Sequence, residues 1–381
     1  MIRAGPTPEK NLRIITDNLT GQITNKKESN NETQDSLGRY FSSLLESIGR
    51  AASKTEGELI HEYSIGEFSY QLIFAGASMS RRITPAFDHL LSNNQNAPFV
   101  KIHVWDSAST GVELPRPPFE VGKSLYGGDM WTAETSRYKL VYQAINGTLS
   151  FFDKTQNEAI YWYYDAALFP YFESGAPLRM VLNWCLGAIG YQLVHAGAVG
   201  TEYGGALLVG KGGTGKSTTA FACLDSGLKY AGDDYCVIEN STQPMAHCLY
   251  NTGKLNAGDL YRFPKLMPAL QNYNRLDTEK ALYFFYSHFP QLIENALPIR
   301  AILIPEISEN IEPAITRASP AECFLALAPS TMFQLRGADH PVHKNISDLV
   351  KNVPGYKLEL GKDINQIPGL VGSLIKEEAG L

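Results

Sequence analysis

The spacing of apolar residues in the first half of the chain predicts one helix followed by short strands. From Leu37 onward, apolar side chains recur at steps of three and four, the spacing of one helical face, and Asp35 or Ser36 can serve as N-cap. Five runs rich in β-branched and aromatic residues follow and predict strands. These runs begin at Phe68, Val100, Tyr138, Gly147 and Glu158.

Asn146 and Gly147 separate two of the predicted strands. This pair tolerates the positive φ values that a type I′ turn demands, so the strands on either side of it are expected to pair as a hairpin. We therefore expect residues 36–170 to form a mainly antiparallel α+β module, which serves in recognition or oligomerisation.

The second half has a different pattern, in which buried strands alternate with helices. Pro177 to Val194 is apolar nearly all round and predicts a buried helix that links the two halves near residue 170. The alternation that follows is typical of an α/β layer, so residues 171–381 are expected to form a second domain. Its predicted elements are strands at 195–200, 205–210 and 235–239 and a helix at 216–226.

Residues 1–35 are expected to form a flexible tail, because no apolar residue occurs between Asn25 and Ser36. The formal net charge of -6 gives no cationic field for nucleic acid or anionic membrane. No window approaches 18 uninterrupted apolar residues, and the five cysteines lie far apart without zinc-site spacing. We therefore expect a cytoplasmic protein with no membrane or nucleic-acid partner.

A complete phosphate-binding motif lies in the second half. Gly210 to Ser217 reads GKGGTGKS, matches G-x-x-x-x-G-K-[ST], and stands between a predicted strand and a helix. Its amides and the helix N-terminus can point at one anion, Lys216 can reach the β and γ phosphates, and Ser217 can bind magnesium. ATP and Mg²⁺ are the expected cofactors. The expected nucleotide contacts are Gly210, Lys211, Gly212, Gly213, Thr214, Gly215, Lys216, Ser217 and Thr218. A second GKS sequence, Gly122 to Ser124, lacks the upstream glycine and is interpreted as a turn.

Two adjacent carboxylates follow the P-loop helix. Asp233 and Asp234 come directly before a predicted strand, so one can accept a hydroxyl proton while the other orients magnesium. A solvated Asp-Asp turn is the alternative. His195 precedes the P-loop strand, and both a buried structural role and a role at the site are open for it.

The stretch from His195 to Glu239 resembles the C-terminal domain of HPr serine kinase/phosphorylase and its relatives, which include kinases of lasso-type precursor peptides. The order histidine, P-loop, Asp-Asp carries this resemblance. It implies a fold akin to phosphoenolpyruvate carboxykinase, with Asp233 as the general base and Asp234 as its support or as a metal ligand beside Ser217. It also implies that His195 lies near the acid pair, that Lys216 is catalytic, and that the protein forms a homo-oligomer.

Two further segments, Leu249 to Leu255 and Leu325 to Leu335, also resemble this kinase group. Lys254, Arg262 and Arg317 are candidate phosphate or substrate contacts, with a solvated surface position as the alternative for each. The glycine- and arginine-containing signature loop of true HPr kinases is not found, and the N-terminal half has no resemblance. Both facts argue against HPr as substrate and against phosphorylase activity.

The function predicted from these features is an ATP-dependent kinase that phosphorylates a serine hydroxyl of a peptide or protein. Its fold is expected to be an α+β module followed by a P-loop domain of the HPr kinase and phosphoenolpyruvate carboxykinase type. Three alternatives remain at this level. They are a P-loop ATPase or nucleotide switch, a kinase of a free amino acid or sugar, and a non-catalytic peptide-binding partner.

Overall fold

The computed structural model describes residues 29–92, 98–118, 130–143, 147–335 and 342–381. Most of the predicted tail and the predicted turn at residues 122–124 lie outside these ranges. The described chain has a mixed α/β fold with two large sheets and one two-stranded sheet. None of its helices combines the length and the apolar character needed to cross a bilayer.

The first helix, α1 (Ser29–Ser53), begins eight residues before Leu37, where the predicted apolar pattern starts. The expectation that the tail extends to residue 35 is therefore wrong for its last seven residues. A single apolar stripe, with Phe41, Leu44 and Ile48 fully buried, anchors the helix on the first sheet. Thr33 and Asp35, before this stripe, are exposed, and a helix can extend past its buried stripe because each added turn makes its own backbone hydrogen bonds.

The first sheet has the strand order β1-β2-β3-β7-β6-β5-β4. Four of its pairings are antiparallel, but β3 pairs in parallel with both β2 and β7. The expectation of a mainly antiparallel sheet thus holds for its edges and is wrong at its centre. The strands are β1 (Glu58–Ile65), β2 (Phe68–Ala75), β3 (Val100–Asp106), β4 (Met130–Glu134), β5 (Tyr138–Gln143), β6 (Thr148–Asp153) and β7 (Glu158–Tyr163).

The predicted hairpin is confirmed by the pairing of β5 with β6. The two strands are antiparallel, with Gln143 opposite Thr148 and Tyr138 opposite Asp153. Gly147 has a φ of 59°, the positive value expected of a tight turn. Residues 144–146 of the connection lie outside the described ranges.

The two faces of the first sheet contact different neighbours. One face packs on α1, where Phe41 meets Phe151 edge to face with ring centroids 5.0 Å apart. The other face joins a hydrophobic cluster that also contains Val181, Leu193 and Tyr250 from the second half of the chain. The two halves therefore share one of their cores.

The apolar run from Pro177 to Val194 contains two elements, whereas the sequence predicted one. Helix α5 (Arg179–Ala188) ends before Gly190, whose φ of 85° reverses the chain, and β8 (Gln192–Val194) follows. Both elements are buried, so apolar content did not distinguish them. The other short helices before α5 are α2 (Ala77–Ile83), α3 (Ser107–Thr110) and α4 (Tyr171–Ser174).

The second sheet has the strand order β11-β9-β10-β16-β13-β12-β8, and β18 continues it from β16. Its longest strand, β16, pairs with β13 at its start and in parallel with β10 and β18 further along. The remaining strands are β9 (Gly197–Thr201), β10 (Gly204–Leu208), β11 (Lys229–Gly232), β12 (Cys236–Glu239), β13 (Met245–Cys248), β14 (Thr252–Leu255), β15 (Ala281–Phe284), β16 (Ala296–Ile307), β17 (Ala314–Ala318) and β18 (Gly355–Leu360).

Helices of the second half pack on this sheet and on one another. Helix α6 (Lys216–Asp225) contacts β9, β11 and α9 (Ile367–Glu378), while α7 (Pro320–Gln334) contacts β16, β18 and α8 (Val342–Asn352). Short 3₁₀ helices occur at Thr84–Leu90, Ala166–Leu168, Ala257–Arg262, Pro264–Ala269, Tyr273–Arg275, Pro290–Leu292 and Ile364–Gln366. Because β10, β11 and β16 run in the same direction, their carboxyl ends meet at one edge of the sheet.

Candidate functional site

The P-loop connects the buried strand β10 to helix α6, as the sequence predicts. Gly210, Gly213 and Gly215 have φ values of 146°, 85° and 103°, which side-chain-bearing residues rarely adopt. The Thr214 hydroxyl donates to the Lys211 carbonyl at 3.1 Å and closes the turn. Ser217 and Thr218 are half-buried in the first turn of the helix. The loop backbone therefore curves around the helix N-terminus, the arrangement that binds phosphate groups.

Lys216 is buried beneath the loop, with 6% of its surface exposed. Its ammonium donates to the carbonyls of Gly210 at 2.7 Å and Lys211 at 3.2 Å. Burial lowers its pKa, and the charges of Asp233 and Asp234 oppose that shift. The P-loop lysine and the acid pair thus act on each other electrostatically.

Asp233 is 1% exposed and lies where β11 ends. Its Oδ2 accepts a hydrogen bond from the backbone N–H of Lys254 at 3.0 Å. Its Oδ1 is buried and has no hydrogen-bond partner among the described residues, although the hydroxyl of Ser217 is close enough to act on the carboxyl. Burial, and next the charge of Asp234, raise the pKa of Asp233 to about 7.

Asp234 lies in the opposite electrostatic environment. Burial alone would raise its pKa, but the ammonium of Lys254, 2.5 Å from Oδ2, together with His195 and Lys216 lowers the pKa to about 2. The two adjacent carboxyls therefore differ in charge near neutral pH. Such a difference separates a group that can exchange a proton from one that stays anionic.

Lys254 is central to the site, although the sequence made it only one of three candidate cations. Strand β14 carries it over the acid pair, where its backbone and its side chain contact Asp233 and Asp234 respectively. The other two candidates are engaged elsewhere. Arg262 pairs with Asp259 at 3.4 Å, and Arg317 pairs with Glu378 at 3.2 Å.

His195 lies beside the acid pair, as the resemblance implied. Its Nε2 is 4.0 Å from Asp234 Oδ1, and its backbone N–H donates to the Thr331 hydroxyl at 3.1 Å. Burial, and next the charge of Lys216, lower its pKa to about 4. The ring is therefore neutral at physiological pH.

A polar cluster that the sequence did not predict adjoins these residues. Arg179 donates to the Tyr235 hydroxyl at 3.1 Å and lies over the Tyr235 ring, and that hydroxyl also bonds Gln334. Glu173 is 3.8 Å from Arg179, and burial raises its pKa. The sequence analysis interpreted the segments that carry Arg179 and Tyr235 by their apolar content and the segment that carries Gln334 by its resemblance, and it gave no signal that these three residues would meet.

The described residues fit a magnesium ion with few protein ligands. They contain no group of three or more histidine, cysteine or carboxylate side chains that would hold a metal by itself. Magnesium at nucleotide sites needs only one or two protein oxygens besides the phosphates. The anionic carboxylate of Asp234 and the Ser217 hydroxyl, which lies close to the adjacent Asp233, can supply such oxygens.

Comparisons with known proteins find similarity to solved structures only. No protein-family model matches the sequence, and no curated protein matches it. The HPr(Ser) kinase/phosphatase from Coxiella burnetii aligns with 49% of this chain and 95% of its own, at 12% sequence identity and a TM-score of 0.28. Similarity this low supports no argument about fold or activity, so function has to be inferred from the site.

Proposed function

We propose that the protein is an ATP-dependent kinase that transfers the γ-phosphoryl group to a hydroxyl, a serine of a peptide or protein. One observation carries this proposal: the buried P-loop lysine interacts electrostatically with Asp233, a buried carboxyl whose Oδ1 has no hydrogen-bond partner among the described residues. A phosphate site needs the first of these groups. Activation of a hydroxyl nucleophile needs the second.

The roles in transfer follow from the position of each group. The P-loop amides and Lys216 hold the phosphates and neutralise the charge that develops on the γ-phosphoryl group. Asp233 accepts the proton of the acceptor hydroxyl. At the same time the hydroxyl oxygen forms a bond to the γ phosphorus, and the bond between the γ phosphorus and the β-γ bridging oxygen breaks. A carboxyl with a raised pKa near 7 is well matched to this exchange at neutral pH.

Asp234 has a supporting role in this scheme. Lys254 keeps its carboxylate anionic, so it can orient a cation without taking up a proton. Magnesium, when bound by the Ser217 hydroxyl and a carboxylate oxygen of the acid pair, would supply further neutralisation of the phosphate charge. His195, neutral and packed against Tyr235 with ring centroids 5.5 Å apart, borders this side of the acid pair.

The test is intact-mass spectrometry of a serine-containing peptide library and of cell extract after incubation with the protein, ATP and magnesium. The matched controls are Asp233→Asn and a library with alanine in place of serine. We expect an added phosphate that requires both Asp233 and the serine. Phosphate release without a modified product would contradict the kinase proposal in favour of ATP hydrolysis, and a phosphorylated amino acid or sugar would contradict the peptide acceptor.

A further inference from the structure

An open cavity of about 420 Å³ lies beside the P-loop at the end of β16, whereas the acid pair follows β11, on the other side of β10. Its walls come from P-loop residues between Gly210 and Thr214, from residues 304–307 at the end of β16, and from Leu325 and Ala326 of α7. The volume lies in the range of small-molecule sites, which runs from about 300 to 1,000 Å³. It is large enough for a nucleoside.

The walls contributed by β16 and α7 are mainly apolar. Ile304, Pro305, Ile307 and Leu325 line the cavity, and Glu306 is the one charged side chain that these two elements add among the described lining residues. Ile307 and Leu325 are 73% and 69% exposed, so the cavity leaves much apolar surface in contact with water. A flat aromatic ring placed there would remove that surface from water.

The order of strands in the second sheet indicates how a bound nucleotide would be oriented along the sheet edge. The acid pair follows β11, which lies two positions from β10 on one side, whereas β16 is the neighbour of β10 on the other side. A triphosphate whose γ-phosphoryl group points to Lys216 and Asp233 therefore extends its α-phosphate end toward β16. The apolar cavity reaches the loop at Gly210, Lys211, Gly213 and Thr214.

We propose that this cavity binds the nucleoside of the nucleotide whose phosphates the P-loop holds, with the base packed against Ile307 and Leu325. This inference rests on the proposed function in one respect, that the P-loop binds a nucleoside triphosphate. It adds a separate site with its own contribution to affinity. Inorganic tripolyphosphate fills the phosphate site alone and therefore serves as the probe that separates the two.

Isothermal titration calorimetry of the full chain with magnesium compares ATP with tripolyphosphate. The variants are Leu325→Gln and, as a second change in the same wall, Ile307→Thr. Met332→Gln is the matched control, since Met332 is a partly exposed apolar residue of the same helix that does not line the cavity. Circular dichroism checks that each variant keeps its helix content.

We expect the wild-type protein to bind ATP at least about tenfold more tightly than tripolyphosphate. Each wall variant should weaken ATP binding about fivefold to tenfold and leave tripolyphosphate binding unchanged, because the lost contacts are apolar and lie beyond the phosphates. Met332→Gln should change neither affinity. Equal wild-type affinities for the two ligands, equal losses for both in the wall variants, or no loss for ATP would overturn the inference.

The same experiment separates this inference from the kinase proposal. A protein that shows the expected ATP preference but transfers no phosphate supports the cavity assignment and contradicts the kinase. A protein that phosphorylates serine but binds ATP and tripolyphosphate equally supports the kinase and overturns the cavity assignment. Binding of neither ligand overturns both.

Discussion

Asp233→Asn should make the folded protein more stable at alkaline pH while it abolishes phosphoryl transfer. Asp233 is buried, and its folded-state pKa is raised from 3.8 to about 7, so the ionised form is disfavoured by folding. An asparagine has almost the same shape. Its amide oxygen can accept the Lys254 N–H that Oδ2 now accepts, and its NH₂ group can face Ser217.

The sign and size of the effect follow from proton linkage. Between pH 4 and pH 7 the folded protein holds more protons on Asp233 than the unfolded chain does, so the stability of the wild type falls as the pH rises through this window. Above pH 7 the folded protein bears the full free-energy cost of burying the ionised Asp233 carboxylate. A shift of roughly three pKa units corresponds to about 4 kcal/mol at most, and imperfect replacement by the amide reduces the expected gain to about 2–4 kcal/mol.

Urea unfolding without nucleotide, in the presence of a chelator, measures this effect at pH 5 and pH 8.5. We expect Asp233→Asn to exceed the wild type in free energy of unfolding at pH 8.5 and to lose most of that advantage at pH 5. Asp234→Asn is the matched control, because it should lower the free energy of unfolding, whereas Asp233→Asn should raise it. The pKa of Asp234 is lowered to about 2, so its ionised form stabilises the fold above pH 4 and that contribution is lost as the pH falls toward 2. An Asp233→Asn gain that is absent, or equal at the two pH values, would refute the reasoning.

Three further predictions concern the groups around the acid pair. Lys216→Met should abolish tripolyphosphate binding, measured by calorimetry, and change the free energy of unfolding by less than about 1 kcal/mol, because burial already disfavours its charge; retained binding would contradict the P-loop assignment. Lys254→Met should lower the free energy of unfolding at pH 8 by about 2–4 kcal/mol, because Asp234 loses the cation 2.5 Å away. Adding Asp234→Asn to this variant should recover part of the loss. If the two substitutions instead changed the free energy of unfolding additively, that would argue against the ion pair. His195→Gln should change the transfer rate by the same factor from pH 5.5 to pH 8.5, because a pKa near 4 keeps the ring neutral throughout; a change of that factor near pH 6.5 would show a titrating ring.

The sequence predicted those elements that depend on local pattern. The P-loop, the strand before it and the helix after it follow from glycine positions and apolar runs within 20 residues. The hairpin of β5 and β6 follows from one Asn-Gly pair. By contrast, the parallel pairing of β3 depends on β2 and β7, which lie up to about 60 residues away in the sequence. Nothing in the sequence of any of these strands indicates which strand pairs with it. Strand order at that distance is set by packing, which a pattern of apolar residues does not encode.

The site shows the same limit in its electrostatics. Two adjacent carboxyls could be found from the letters Asp233-Asp234, but their opposite pKa shifts could not. The shift of Asp233 depends on burial and on the charge of Asp234, and that of Asp234 depends on Lys254, twenty positions further on. Lys254 gave only a weak signal, as one cation among three. Arg179 gave none, since it opens a helix interpreted as apolar throughout, and its contact with Tyr235 exists only in the folded chain.

One residue accounts for most of the difference between the two carboxyls. Lys254 presents a neutral backbone N–H to Asp233 and a full positive charge to Asp234. A hydrogen bond from an amide offsets part of the cost of burying a carboxylate, whereas the ammonium at 2.5 Å, with smaller contributions from His195 and Lys216, more than offsets it. Because Asp234 thereby stays anionic, its charge in turn raises the pKa of Asp233. The lysine therefore fixes the negative charge on one acid and leaves the other able to exchange a proton near neutral pH, which is the division of roles that hydroxyl activation beside a P-loop requires.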